Sequence, residues 1–157
     1  MSKKIHKIPN IHIKRQGVTL DVDMSRMERN LNRAQYMLDS AVMASMKPFM
    51  PMQDGNLISI TDAQSQSVAG SGIVYAAYGP SGHYLYEGKT MVDEKTGSPF
   101  ARKSARKVYV SQYGGKTNVK ENLTYGRKGA TDHWFEAAKE KDLEEWRKVV
   151  ARQMDKK

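Results

Sequence analysis

A chain of 157 residues is long enough for one domain and too short for two ordinary ones, and 39% apolar with 8% aromatic content provides a modest core with long polar excursions. With no cysteine, a disulfide framework, a thiolate metal site and a cysteine nucleophile are all excluded. The formal net charge of +9 invites a polyanionic or acidic partner, but its placement excludes a basic-region DNA reader: it sits in residues 1–18 and 101–128, not along one helix face.

The opening MSKKIHKIPN is basic and lacks the apolar run of a signal peptide, and no stretch of about 18 apolar residues follows. A soluble chain not exported by itself, with no membrane partner and a flexible basic arm over 1–10, is therefore expected. In IHIKRQGVTLDV, Ile11, Ile13, Val18, Leu20 and Val22 alternate around RQG, which predicts a short hairpin with one buried face. Next, Met24, Met27, Leu31, Ala34, Leu38 and Ala41 recur at steps of three and four, the pattern of an amphipathic helix ended by Pro48. Ser25 and Glu28 stand in capping-box relation at its start.

Seven of the ten methionines lie between Met24 and Met52. Gap-filling in a small core explains most of them, whereas Met50 and Met52 flank Pro51 outside the helix and read as an exposed loop. Beyond the Asp54-Gly55 turn signal, LISIT and GSGIVYAAY read as two further strands, completing a mainly antiparallel sheet. The following fifty or so residues show neither helical period nor alternation, so 79–130 is expected as an extended arm, with one helical turn at HYLYEG and a short strand at KVYV. The last segment, DHWFEAAKEKDLEEWRKVVARQM, sets Phe135, Ala138, Leu143, Trp146 and Val150 near one face of a helix with Asp132 at its N-cap. Its surface charges balance, seven of each sign over 131–157. The expected fold is thus α+β within a single domain, 1–157: a small antiparallel sheet packed against a long N-terminal and a C-terminal helix.

A search for chemistry finds little. His6, His12, His83 and His133 share no helical ligand spacing, GPSG lacks the spacing of a phosphate loop, and Ser81 near His83 lacks the setting of a nucleophile elbow. No enzyme, cofactor or metal site is expected. The tract ARKSARK with Tyr109, Tyr113 and Tyr125 offers cations for phosphate and rings for stacking, but no reader motif frames them. A small nucleic-acid-binding accessory protein stays open as an alternative.

Several blocks in order, PMQDGNL, HYLYEGKTMVDEKTGSPFARKSARKVYV and LTYGRKGATDHWFEAAKEK, give the chain a broader resemblance. Over residues 22–150 it resembles the minor capsid proteins that complete the tail or connect head to tail in long-tailed bacteriophages of Gram-positive hosts. The more specific pieces are YLYEGK, TGSPFA and HWFEAA; residues 1–21 and YGGKTN are less typical. The resemblance implies a structural virion protein of the neck or upper tail, made in the host cytoplasm and built into a ring of identical copies, hexameric in that family. It also implies contact with neighbouring neck or tail-terminator proteins and with packaged DNA. Ring neighbours need two different surfaces. Candidate assembly contacts are Met50 and Met52 on one side and Tyr84, Tyr86, Gly88 and Phe100 on the other. Since adjacent side chains cannot share one helix face, Phe135 is the expected core residue, and Trp134 is read either as a contact or as packing under its own loop. Arg102, Lys103, Arg106 and Lys107 are candidates for meeting DNA or an acidic partner surface.

Overall fold

The structure, a computed structural model, describes residues 6–79, 82–100 and 105–156. In chain order its elements are β1 (Ile11–Arg15), β2 (Val18–Val22), α1 (Ser25–Met46), α2 (Asn56–Ser67), α3 (Gly82–Glu87), β3 (Met91–Asp93), β4 (Lys107–Tyr109), a 3-10 turn (Val110–Gln112) and α4 (Trp134–Met154). The class is α+β, with long helices near both ends. The strands form two separate antiparallel pairs, β1–β2 and β3–β4, where one sheet was expected. The chain divides into two compact units: Met1–Ser45, Asp62–Tyr75 and Ala138–Lys157 make the first, Met46–Thr61 and Ala76–Ala137 the second.

In the first unit, α1 and α4 run antiparallel. Trp146 Nε1 donates to Ser45 Oγ at 3.0 Å near one end, while Asn30 Nδ2 donates to the carbonyls of Met154 and Lys156 at 3.3 and 2.9 Å near the other. Burial on α1 begins at Ala34 and continues at Val42 and Met43, whereas Met27, expected on the inner stripe, is exposed. The start of α1 is capped from upstream: Asp23 Oδ1 accepts from the amide and hydroxyl of Ser25, and Asn10 Oδ1 accepts from Met24 N. Those two bonds to Ser25 also hold the Asp23 carboxyl below its ordinary pKa. Glu28, the expected capping-box partner, accepts instead from Ile8 N. Residues 6–10, inside the stretch expected as a flexible arm, lie along α1, because Asn32 exchanges two hydrogen bonds with the backbone of His6 at 3.3 and 2.9 Å.

The β1–β2 ladder pairs Ile11 with Val22, Ile13 with Leu20 and Arg15 with Val18 around a Gln16-Gly17 turn. Both turn residues have positive φ, 43° and 83°, which matches the twist of the flanking strands. The expected buried face is not buried: β1 is exposed throughout, and in β2 Val22 alone is half-buried. A two-stranded ladder buries a face only where another layer covers it.

LISIT, expected as a strand, lies in α2, and GSGIVYAAY forms no strand. The reason is visible in α2's inner face. Thr61, Ser65 and Ala69, four residues apart, are buried there, and the two hydroxyl oxygens accept backbone amides. Thr61 Oγ1 takes Tyr78 N at 3.0 Å, and Ser65 Oγ takes Tyr75 N at 3.1 Å. The 75–78 segment thereby satisfies these amides without a sheet. The loop before it is held by Asp39, a buried carboxylate of α1, which accepts from Gly70 N at 2.7 Å, Gly72 N at 3.1 Å and Gln35 Nε2 at 2.7 Å.

Candidate functional site

The second unit holds nearly all the residues expected to make assembly contacts. Its centre is the end of α3. The six-residue helix terminates at Gly88, with φ +65°, where a Cβ would stand 2.8 Å from Asp132 Cβ and 2.9 Å from Asp132 Oδ2. Only glycine fits both the conformation and the space. Gly88 O accepts Leu123 N at 2.8 Å, and Thr90 N donates to Glu121 O at 2.8 Å, so the chain leaving α3 is laced to 121–123 before pairing as β3 with β4. The 79–130 stretch is thus irregular between short elements but repeatedly tied to itself. Gly88, expected as a contact, is buried and serves this packing.

Tyr86 meets the ring of Trp134 edge-on at 4.8 Å and that of His133 at 5.2 Å. Its hydroxyl donates to Glu136 Oε2 at 2.5 Å, and burial followed by this bond keeps the phenol protonated well above its ordinary range. His133, with φ +43°, donates its amide to Tyr86 O at 2.9 Å and accepts Ala137 N at the start of α4, so it occupies the N-cap expected of Asp132. Trp134 is 0% exposed and donates from Nε1 to Ala76 O at 2.6 Å, while Phe135 is half-buried. Of the two readings of Trp134, packing inward is the one adopted, because the indole N–H has a carbonyl to reach inside, and Phe135, expected in the core, is the less buried of the two. Tyr84 is half-buried and packs edge-on against Tyr109 of β4 at 6.4 Å.

Met50 is 0% exposed, correcting its expected role in an open loop, while Met52 is 55% exposed. Arg127 explains the difference. Its Nη1 donates to Lys47 O at 2.8 Å and Met50 O at 3.4 Å, gathering the carbonyls that follow α1 and drawing the 47–50 turn inward. Arg127 belongs by sequence to the basic tract, yet it is a structural clamp. From Met52 onward the chain borders a groove of about 560 Å³ whose walls include Leu57, Ile60, Tyr78, Leu85 and Tyr125, with Asp54 as the one charged lining residue among those described. The Tyr125 hydroxyl donates to Leu85 O at 2.5 Å, and burial, with the nearby Asp132 charge, raises its pKa. Asp54 Oδ1 accepts Asn56 N at 2.9 Å and so starts α2 at the groove edge.

Phe100 is 85% exposed. Of the basic candidates, Arg102 and Lys103 lie outside the described residues, Lys107 is exposed on β4, and Arg106 approaches Glu94 at 3.8 Å. Among the described residues no group of three or more histidines and carboxylates could hold a metal ion, and no helix is long and apolar enough to cross a membrane. What the second unit offers is an internally bonded body with an open groove edged by exposed Tyr78, and the far more exposed ring of Phe100.

A family model described as minor capsid protein matches residues 13–111, nearly two thirds of the 157-residue chain, from the hairpin to the 3-10 turn after β4. No curated protein and no solved structure matches.

Proposed function

The chain belongs to the minor capsid protein family, and from that membership we propose that it is a structural component of a tailed-phage virion, completing the tail or joining it to the head. The family match over 13–111 is the observation that carries the reading. The finer reading, a position in the neck or upper tail of a phage of a Gram-positive host, is supported by the resemblance of the blocks YLYEGK, TGSPFA and HWFEAA to tail-completion proteins. The protein works as one copy in a ring, hexameric by that resemblance, with neighbouring neck or tail-terminator proteins above and below. The reading calls for no reaction and no cofactor, only stable surfaces. The ARKSARK tract, which ends in exposed Lys107, meets packaged DNA or an acidic neighbour.

Electron microscopy of lysates from a phage with a stop codon in this gene tests the proposal. Filled heads separated from tails are expected, and joined infectious particles would overturn it. Missing heads would move the protein to capsid assembly. Reversing Lys107 to glutamate separates the two partners of the basic tract: loss of binding to the neighbouring protein with duplex binding unchanged identifies the acidic surface.

A further inference from the structure

Among the described residues, apolar side chains stand open on the hairpin and along the groove of the second unit. Ile11, Ile13, Val18 and Leu20 share one face of the β1–β2 ladder, and Val18 and Leu20 are 68% and 51% exposed. A two-stranded ladder in water is marginally stable at best, and exposed β-branched and leucine side chains in register form a surface that gains by being covered. The same face ends at the tip in a cation, Arg15, paired across from Val18. His12 and Asp21 pair with each other across the ladder on the opposite, polar face. The other open surface is the groove of the second unit, where Met52, Ile60 and Tyr78 are exposed and Asp54 is the single charged lining residue among those described.

We propose that the apolar face of the β1–β2 hairpin of one copy seats in the Met52–Ile60–Tyr78 groove of a second copy, with Arg15 against Asp54. The inference deepens the ring reading above by naming the surfaces through which identical copies meet. The two surfaces differ in every respect that matters. One is a two-stranded ribbon and the other a recess; one ends in the cation of Arg15 and the other holds the carboxylate of Asp54. Residues 1–18 carry five lysines or arginines and no acid, which favours approach to a recess whose described lining holds a carboxylate and no cation. Because the surfaces are different, the contact is head-to-tail and leaves each bound copy with a free hairpin or a free groove. Such contacts close into rings or run on as filaments.

The absence of cysteine makes the test direct. Two variants are prepared, Leu20→Cys on the hairpin and Ile60→Cys on the groove, both at exposed positions, with folding checked by circular dichroism. Under mild oxidation the mixture is expected to give a cross-linked pair, and each variant alone is expected to stay uncross-linked. Adding Arg15→Glu to the hairpin variant should slow cross-linking about fivefold, and Asp54→Lys on the groove variant should restore it. Cross-linking of Leu20→Cys with itself, or no cross-link in the mixture, overturns the proposal. The virion assignment is tested separately: cross-linking chains that never enter particles would remove the assignment and keep the contact, and particles assembled from chains that fail to cross-link would do the reverse.

Discussion

Trp134→Phe separates the two roles that the sequence leaves open for this residue, core and contact. The indole is 0% exposed, its N–H reaches Ala76 O at 2.6 Å, and its ring takes Tyr86 edge-on. Phenylalanine keeps an aromatic ring but leaves the Ala76 carbonyl without its donor, a loss of about 1–3 kcal/mol. The smaller ring leaves a void worth about another 1 kcal/mol. Together these predict a destabilisation of about 2–4 kcal/mol, which for a chain of this size lowers Tm by roughly 4–16 °C. Urea unfolding followed by circular dichroism should show the midpoint falling with the slope unchanged. A loss under about 0.5 kcal/mol, within the range of ordinary surface substitutions, with self-association abolished, would refute the core assignment and return Trp134 to the surface.

Asp39→Ala should destabilise the first unit by about 2–4 kcal/mol, since the amides of Gly70 and Gly72 lose their charged acceptor; hydrogen exchange at those two amides should accelerate most. Gly88→Ala should cost about 1–3 kcal/mol for its backbone conformation alone, and Asp132→Gly in the same chain should recover the part due to the 2.8 Å approach. The Tyr86 phenol has its pKa raised by folding, so the neutral form favours the native state. That contribution is complete below about pH 10, the value of an unfolded tyrosine, and is lost as pH rises toward the folded pKa. Stability should therefore decline less steeply above pH 10 in Tyr86→Phe than in the parent chain, as measured by thermal melts across that range.

The parts of the fold that could be read in advance are those whose side-chain period decides the element. Three-and-four spacing marked α1 and α4, and alternation around RQG marked the hairpin with the right strands and turn. LISIT misled because its isoleucines and threonine suit a strand equally well, and the helix is chosen by contacts remote in sequence. Thr61 and Ser65 form the buried face only because the 75–78 amides need their hydroxyls. A hydropathy pattern counts such residues as polar and turns the helix inside out. Met50 was misplaced for a similar reason, since Arg127, some eighty residues away, draws its turn inward. The hairpin's open face follows from tertiary structure too: alternation shows that one side is apolar, not that anything covers it. Of the expected contacts, Met52 and Phe100 are exposed, Tyr84 and Tyr86 are half-buried, and Gly88 and Trp134 went inward to close packing and a backbone carbonyl.

The pairing of Ile11 with Val22 brings the two ends of the hairpin side by side at its root, next to the hydrogen bond from Met24 N to Asn10. Everything between them can be lengthened, shortened or exchanged without moving the residues that start α1. The hairpin is thus a replaceable cassette on a fixed mount. Selection for a new neighbour can rewrite ten or so positions here at little risk to folding, whereas change around Gly88, Trp134 and Asp39 is confined by close packing and buried hydrogen bonds.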